Sequence, residues 1–249
     1  MKKKGIFVVI DGLDGIGKGV CLDILKEEAE KSKLRIFDLN EYWKQNDRIP
    51  SIQEVGDVDL IISSEPTYQG VGKYIRETLV SKEGEPFRTS VIAQAFSLDR
   101  EILYERLLIP AREKGISIFQ SRFVSTSIAY QKLSGTKDGI SLNFILNLPG
   151  NKLALENSPD YLVIPTIKDV KEVMNRLNNR EKEDNCVFEN IEFQLKVKKE
   201  YDSQKFKKIF EDRGTKILYV DVGKTIEYTR EETKGLYNNV FKKDLVAVR

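Results

Sequence analysis

Residues 12 to 20 read Gly12-Leu13-Asp14-Gly15-Ile16-Gly17-Lys18-Gly19-Val20 and contain the pattern Gly-x-x-x-x-Gly-Lys. Glycines let a backbone wrap closely around phosphate oxygens, with successive N–H groups pointing inward at the anion. A helix opening at Lys18 would add the partial positive charge of its N-terminus. The lysine itself supplies a full charge to the terminal phosphates of a nucleoside triphosphate. The hydroxyl residue that usually follows this lysine and ligates Mg²⁺ is Gly19 here, and Val20 comes next. Mg²⁺ keeps several waters and leans on substrate phosphates, so this loss does not by itself abolish metal binding.

Other residues have types and spacing that suit the same chemistry. Phe96 and Arg100 lie four apart on a predicted helix and share a face. Arg176 and Arg180 are spaced in the same way, and the polar run from Asn178 to Asn185 reads as a flap. Arg122 follows a predicted strand, at the end where open α/β sheets bind ligands. Phosphoryl transfer needs little covalent help and much charge neutralisation, which arginines provide. Each feature also has a plain structural reading. Phe96 and Tyr130 could be core residues, Arg100 an ion-pair partner, the two late arginines a charged loop, and Glu65 and Pro66 turn residues.

The elements that must position these residues are legible as short β-branched and aliphatic runs alternating with longer amphipathic stretches. That alternation predicts an α/β architecture with a mostly parallel sheet. The predicted strands are Ile6–Ile10, Leu34–Phe37, Leu60–Ser63, Ile116–Phe119, Tyr161–Ile164 and Ile217–Val220, several of them continuously apolar. The predicted helices include Lys18–Lys31, Gly72–Val80, Thr89–Lys114, Phe123–Leu133, Lys168–Arg180 and Phe188–Glu211. Asn40 to Asp57 fits neither pattern and reads as an inserted surface excursion. In the last helix Phe193, Val197 and Tyr201 form a buried stripe, which leaves the lysines of 196–208 as a solvated face.

Composition removes several function classes. The 249 residues include no histidine, which excludes Ser-His-Asp and Cys-His catalysis and histidine-containing zinc sites. With 41 Lys+Arg against 39 Asp+Glu the chain has no global basic field, so no nucleic-acid partner is expected. Cys21 and Cys186 cannot build a disulfide framework and suit a reducing interior. The apolar run after Met1-Lys2-Lys3-Lys4 spans Ile6 to Ile10 and ends at Asp11, too short for a signal peptide or a membrane span. The expectation is a cytoplasmic protein with no membrane partner. Asn151-Lys152-Leu153-Ala154 lacks the aspartate of a guanine-reading motif, which argues against a regulatory GTPase.

Taken in order, further fragments resemble the thymidylate kinase family of P-loop nucleoside monophosphate kinases. Phe7 to Gly15 is similar to the family's first strand and phosphate loop, with an acidic residue before the first glycine. Glu65-Pro66-Thr67 with Gly72, Ile75 and Arg76 resembles its Glu-Pro turn and helix. Phe96-Ser97-Leu98-Asp99-Arg100 resembles its Phe-x-x-x-Arg helix. Ser121-Arg122-Phe123 with Ala129-Tyr130-Gln131 stands where the family has Asp-Arg-Tyr and Ala-Tyr-Gln. Pro159-Asp160 and the run Arg176, Arg180, Asp184, Phe188, Glu189 follow the late strand and the lid.

The resemblance implies one P-loop kinase domain over 1–249, a three-layer α/β/α fold with an insertion at about 40–57 and a lid at about 178–187. It also implies ATP and Mg²⁺ as cofactors, dTMP as acceptor, and a homodimer packed through helices. It assigns Gly12 to Val20 to ATP, and Lys18, Arg122, Arg176 and Arg180 to catalysis. Phe96 would stack on thymine, and Arg100 would donate to a base carbonyl. Arg122 would hold the acceptor phosphate, with Asp14, Glu65, Pro66, Ser127, Tyr130 and Gln131 lining the pocket. No residue is assigned as a direct metal ligand. The chain departs from the family pattern at Gly19, at Ser121 for an aspartate, and at Ser64 for an arginine; Lys44 or Arg48 of the insertion could return a missing group. Two alternatives stay open: a kinase for another nucleoside monophosphate, and a nucleotide-binding protein with a degraded site.

Overall fold

Six short strands form one sheet in the order β2-β3-β4-β1-β5-β6, and every pairing is parallel. They are β1 Phe7–Ile10, β2 Ile36–Asp38, β3 Leu60–Ser64, β4 Ser117–Ser121, β5 Tyr161–Thr166 and β6 Lys216–Asp221. This computed structural model describes residues 4–81, 87–134, 140–173 and 191–246. All six predicted strands are present. β1 is central, and all four of its residues are buried, so both faces of the sheet are covered by helices.

Sequence pattern explains the helices that matter for the site. The Lys18–Lys31 helix turns Cys21, Leu22, Leu25 and Ala29 inward. The stretch predicted as one helix over 89–114 is Thr89–Leu103 running on through a widened turn, Tyr104–Leu108, into Ile109–Glu113. The widened turn ends two residues before Pro110, which has no N–H to give. The helix predicted over 188–211 is divided into Ile191–Asp202 and Gln204–Glu211. Ser203 causes the break, its hydroxyl accepting the Phe206 N–H at 3.2 Å as an N-cap.

The segment 40–57 is more than a surface excursion. Short helices at Leu39–Tyr42 and Ile52–Val55 bring Leu39, Trp43, Ile52 and Val55 into the main core. Trp43 also packs on Tyr68, with ring centroids 5.9 Å apart, and its carbonyl accepts from Gln69. Three core residues of the segment, with Leu39 just before it, anchor a stretch that is mostly polar. Cys186, Arg176, Arg180 and the expected lid at 178–187 lie outside the described residues.

Candidate active site

The carboxyl ends of β1, β3 and β4 open onto one mouth of the sheet. Ile10 of β1 and Ser64 of β3 both stand opposite Ser121 of β4, so Asp11, Glu65 and Arg122 leave the sheet side by side. Three glycines of the loop after β1 take positive φ values that side chains rarely adopt: Gly12 at 155°, Gly15 at 78° and Gly17 at 103°. Gly17 then hands over to the helix opening at Lys18.

Lys18 curls back over this loop. Its ammonium donates to the carbonyls of Gly12 at 2.9 Å and Leu13 at 2.6 Å, and lies 3.3 Å from the Asp14 carboxylate. Burial, followed by the Arg122 charge, pushes its pKa down to about 8 against the pull of Asp14 and Asp11. Asp14 also meets the Arg122 guanidinium at 2.5 Å. Burial would raise its pKa, but Arg122 and Lys18 hold it well below the usual carboxylate range. Arg122 itself is a non-glycine residue at φ 68°, a conformation that costs about 1–3 kcal/mol and is held here by its N–H to the Ile10 carbonyl at 2.9 Å.

Asp11 is a latch. Its fully buried carboxylate accepts from the Gly12 N–H at 2.8 Å, from Thr126 at 2.8 Å and from Ser125. Those bonds tie the phosphate-type loop to the turn after Arg122. Tyr130 adds a second tie, its hydroxyl accepting the Asp14 N–H at 2.8 Å while its ring packs on Phe193. Ser127 and Gln131 are buried on the same turn.

A second cluster centres on Glu65. Its carboxylate accepts from Arg100 Nε at 2.7 Å and lies 2.6 Å from Arg100 Nη2, with Gln120 donating to its other oxygen at 3.0 Å. Burial pushes Glu65 up to about 7 although Arg100 pulls the other way. The Glu65–Pro66 peptide is cis. Arg76 donates to the Pro66 and Thr67 carbonyls, and Asp99 accepts from Thr67 N–H at 2.7 Å and its hydroxyl at 2.6 Å. Phe96 is half-buried one turn before Arg100.

Gln120 joins the two clusters, since the same amide that reaches Glu65 also donates to the Arg122 carbonyl at 2.9 Å. Sequence reasoning missed this residue and Asn151. The available signal for Gln120 was a lone amide inside an otherwise buried strand, where a polar group must find a partner. Ser64 donates to Asn40 at 2.5 Å, so the segment 40–57 does reach the mouth. Lys44 and Arg48 do not: they pair on the exposed surface with Glu41 and Glu54.

The donor set suits a triphosphate better than a protein-bound metal. Gly19 brings no oxygen, although a Cβ there would meet nothing within 4 Å. Asp11 already accepts three donors, and no group of three or more acidic or thiol residues that could hold a metal occurs among the described residues. Among the described residues, the groups at this site therefore do not fit a directly ligated Mg²⁺.

A family model described as thymidylate kinase matches residues 51–233 of the chain. The loop at 12–20 lies ahead of that range. A probable thymidylate kinase of Thermococcus gammatolerans is 31% identical over 182 residues, covering 71% of this chain and 72% of the relative. A thymidylate kinase of Trichodesmium erythraeum is 25% identical over 234 residues, covering 93% and 94%. The solved thymidylate kinase of Candida albicans superposes with a TM-score of 0.61 at 21% identity, covering 97% of this chain and 94% of that one, which shows a shared fold.

Proposed function

The chain belongs to the thymidylate kinase family, and on that premise we propose that it transfers the γ-phosphoryl group of ATP to dTMP, giving dTDP and ADP. The observation that carries this reading is the junction of Lys18 and Arg122 on Asp14, at the shared mouth of β1 and β4. It puts a phosphate-type loop and a strand-end arginine within one side chain of each other, as transfer between two bound phosphates requires.

In this reading the N–H groups of Gly12 to Val20 hold the triphosphate, and the Lys18 ammonium exchanges the Gly12 and Leu13 carbonyls for phosphate oxygens. Arg122 holds the dTMP phosphate, whose oxygen attacks the γ-phosphorus as the bond to the β,γ-bridging oxygen breaks. Phe96 stacks on thymine, and Arg100 donates to a base carbonyl, which only a group with acceptors at that edge accepts well. Asp14, Glu65, Pro66, Ser127, Tyr130 and Gln131 complete the acceptor pocket. Arg176 and Arg180, which lie outside the described residues, add positive charge that neutralises the transferring group. Mg²⁺, for which the described residues offer no direct ligand set, would enter with ATP and would neutralise phosphate charge. The working form is a homodimer in the cytoplasm. Among the described residues no helix is long and apolar enough to cross a membrane.

The test is ADP release by the purified chain with Mg-ATP, screened against dTMP, dUMP, UMP, CMP, AMP and GMP. Turnover highest with dTMP is the expected result. Turnover with none of them, while ATP or dTMP still raises the melting temperature, would replace this reading with a nucleotide-binding protein whose site has lost its chemistry. Ser64, Ser121 and Gly19 are the residues that would then explain the loss.

A further inference from the structure

We infer that Asn151 is a positioning residue that aims Arg100 at the acceptor's base and so sets base selectivity; the inference rests on the reading of Arg100 given above. Asn151 is fully buried, and both ends of its amide are used. Its Oδ1 accepts from Arg100 Nη1, and its Nδ2 donates to the Ile145 carbonyl at 2.7 Å. The alternative amide orientation would set an NH₂ against a guanidinium, donor against donor, so the network fixes which way the carboxamide points.

The backbone holds Asn151 in place as firmly as its side chain holds Arg100. The helix Pro149–Glu156 docks on the helix Thr89–Leu103 through Gly150, whose N–H donates to Ser97 Oγ at 2.9 Å. A Cβ on Gly150 would stand 1.9 Å from the Ser97 carbonyl oxygen and 2.9 Å from Glu101 Cβ. Only glycine permits that approach, and the approach places the next residue, Asn151, against Arg100, three positions beyond Ser97.

Arg100 is thereby gripped from two sides. Glu65 takes Nε and Nη2, and Asn151 takes Nη1. A guanidinium has five N–H donors in a rigid fork, so this arrangement leaves one on Nη1 and one on Nη2 for a ligand. Both can only donate. They suit the carbonyl edge of thymine and oppose the amino group that cytosine presents at the equivalent position. Without Asn151 the fork is held on the Glu65 side alone, and its remaining donors lose their direction.

The experiment compares Asn151→Ala, Asn151→Asp and, as a control on the reading, Arg100→Lys in the full chain. It measures KM for dTMP and for ATP, kcat, the ratio of kcat/KM for dTMP over dCMP, and the melting temperature. Asn151→Ala is expected to raise KM for dTMP about tenfold, the scale of a hydrogen bond to a charged group, and to lower the dTMP/dCMP ratio. KM for ATP should stay within about twofold, because uniform loss of binding is not expected from one base contact. Asn151→Asp, which keeps an oxygen facing Arg100, should recover most of the loss. Should the alanine variant melt below the assay temperature, Asn151→Ser carries the same comparison. The inference is overturned if KM rises in parallel for both nucleotides, or if a folded Asn151→Ala keeps its dTMP values while Arg100→Lys loses them. If Arg100→Lys itself leaves dTMP unaffected, the base-reading role fails and the inference falls with it.

Discussion

Arg122 and Asp14 stand 108 residues apart in sequence and meet at 2.5 Å, closing the strand-end arginine onto the loop after β1. The same carboxylate oxygen lies 3.3 Å from the Lys18 ammonium. One aspartate is therefore the counter-ion of both cations that the proposed reaction uses. Asp14 offsets part of the repulsion between the two like charges, and phosphate oxygens have to compete with it for them.

Lys18→Ala should leave a folded chain that releases ADP at least about 10²–10³-fold more slowly, the usual effect of removing one aimed charge. Full activity in this variant would remove the loop from the mechanism.

The pKa of Lys18, near 8 in the folded chain against 10.5 for an ordinary lysine, gives two trends of opposite sign. Between those values the unfolded chain holds the proton and the folded chain does not, so the contribution of Lys18 to stability rises with pH across that interval. Activity should move the other way, with kcat/KM for ATP falling above about pH 8 as the free enzyme loses its ammonium. Lys18→Arg should lose that alkaline limb. A pH–rate profile beside urea melts at the same pH values checks both.

Glu65 predicts the reverse dependence on the acidic side. Its folded pKa is raised to about 7 from 4.5, so its contribution to stability is fully present below 4.5 and is lost as pH rises through about 7. Glu65→Gln should be flat over that window while keeping an oxygen for Arg100. The difference in melting temperature between wild type and variant, measured from pH 4 to 8, should therefore shrink or change sign as pH rises.

Gly150→Ala should destabilise the chain by about 1–3 kcal/mol, because a methyl group cannot fit against the Ser97 carbonyl and the two helices have to part. Urea unfolding measures that cost. The surviving folded fraction should also bind dTMP less tightly, since Asn151 moves with its helix.

Much of this architecture is visible in the chain because its signals are local. The six strands are apolar runs that need no partner to be recognised, and Gly12 to Lys18 carries its own geometry. The site's supports are of another kind. Asn151 sits in a stretch whose sequence suggested only a failed guanine motif, and nothing nearby announces Arg100 as its partner. Gln120 bridges Glu65 and Arg122 through a strand position that is polar without being unusual. Trp43 falls in the polar stretch that reads as a surface excursion, yet Tyr68 and the main core cover it. The break at Ser203 was missed because its apolar stripe carries on into Phe206 and Phe210, and a cap outweighed periodicity.

The place of β1 in the sheet also dictates when the chain can fold. Its two neighbours are β4 and β5, so β1 has no pairing partner until residues 117–121 have been made. For the more than one hundred residues that separate it from β4, Phe7 to Ile10 is an apolar segment with unsatisfied edges, the kind of segment that aggregates or recruits a chaperone. The bonds that hold the loop after it form only once Arg122, Ser125 and Thr126 have emerged, which makes the end of the molecule proposed to bind phosphate one of its late-maturing parts.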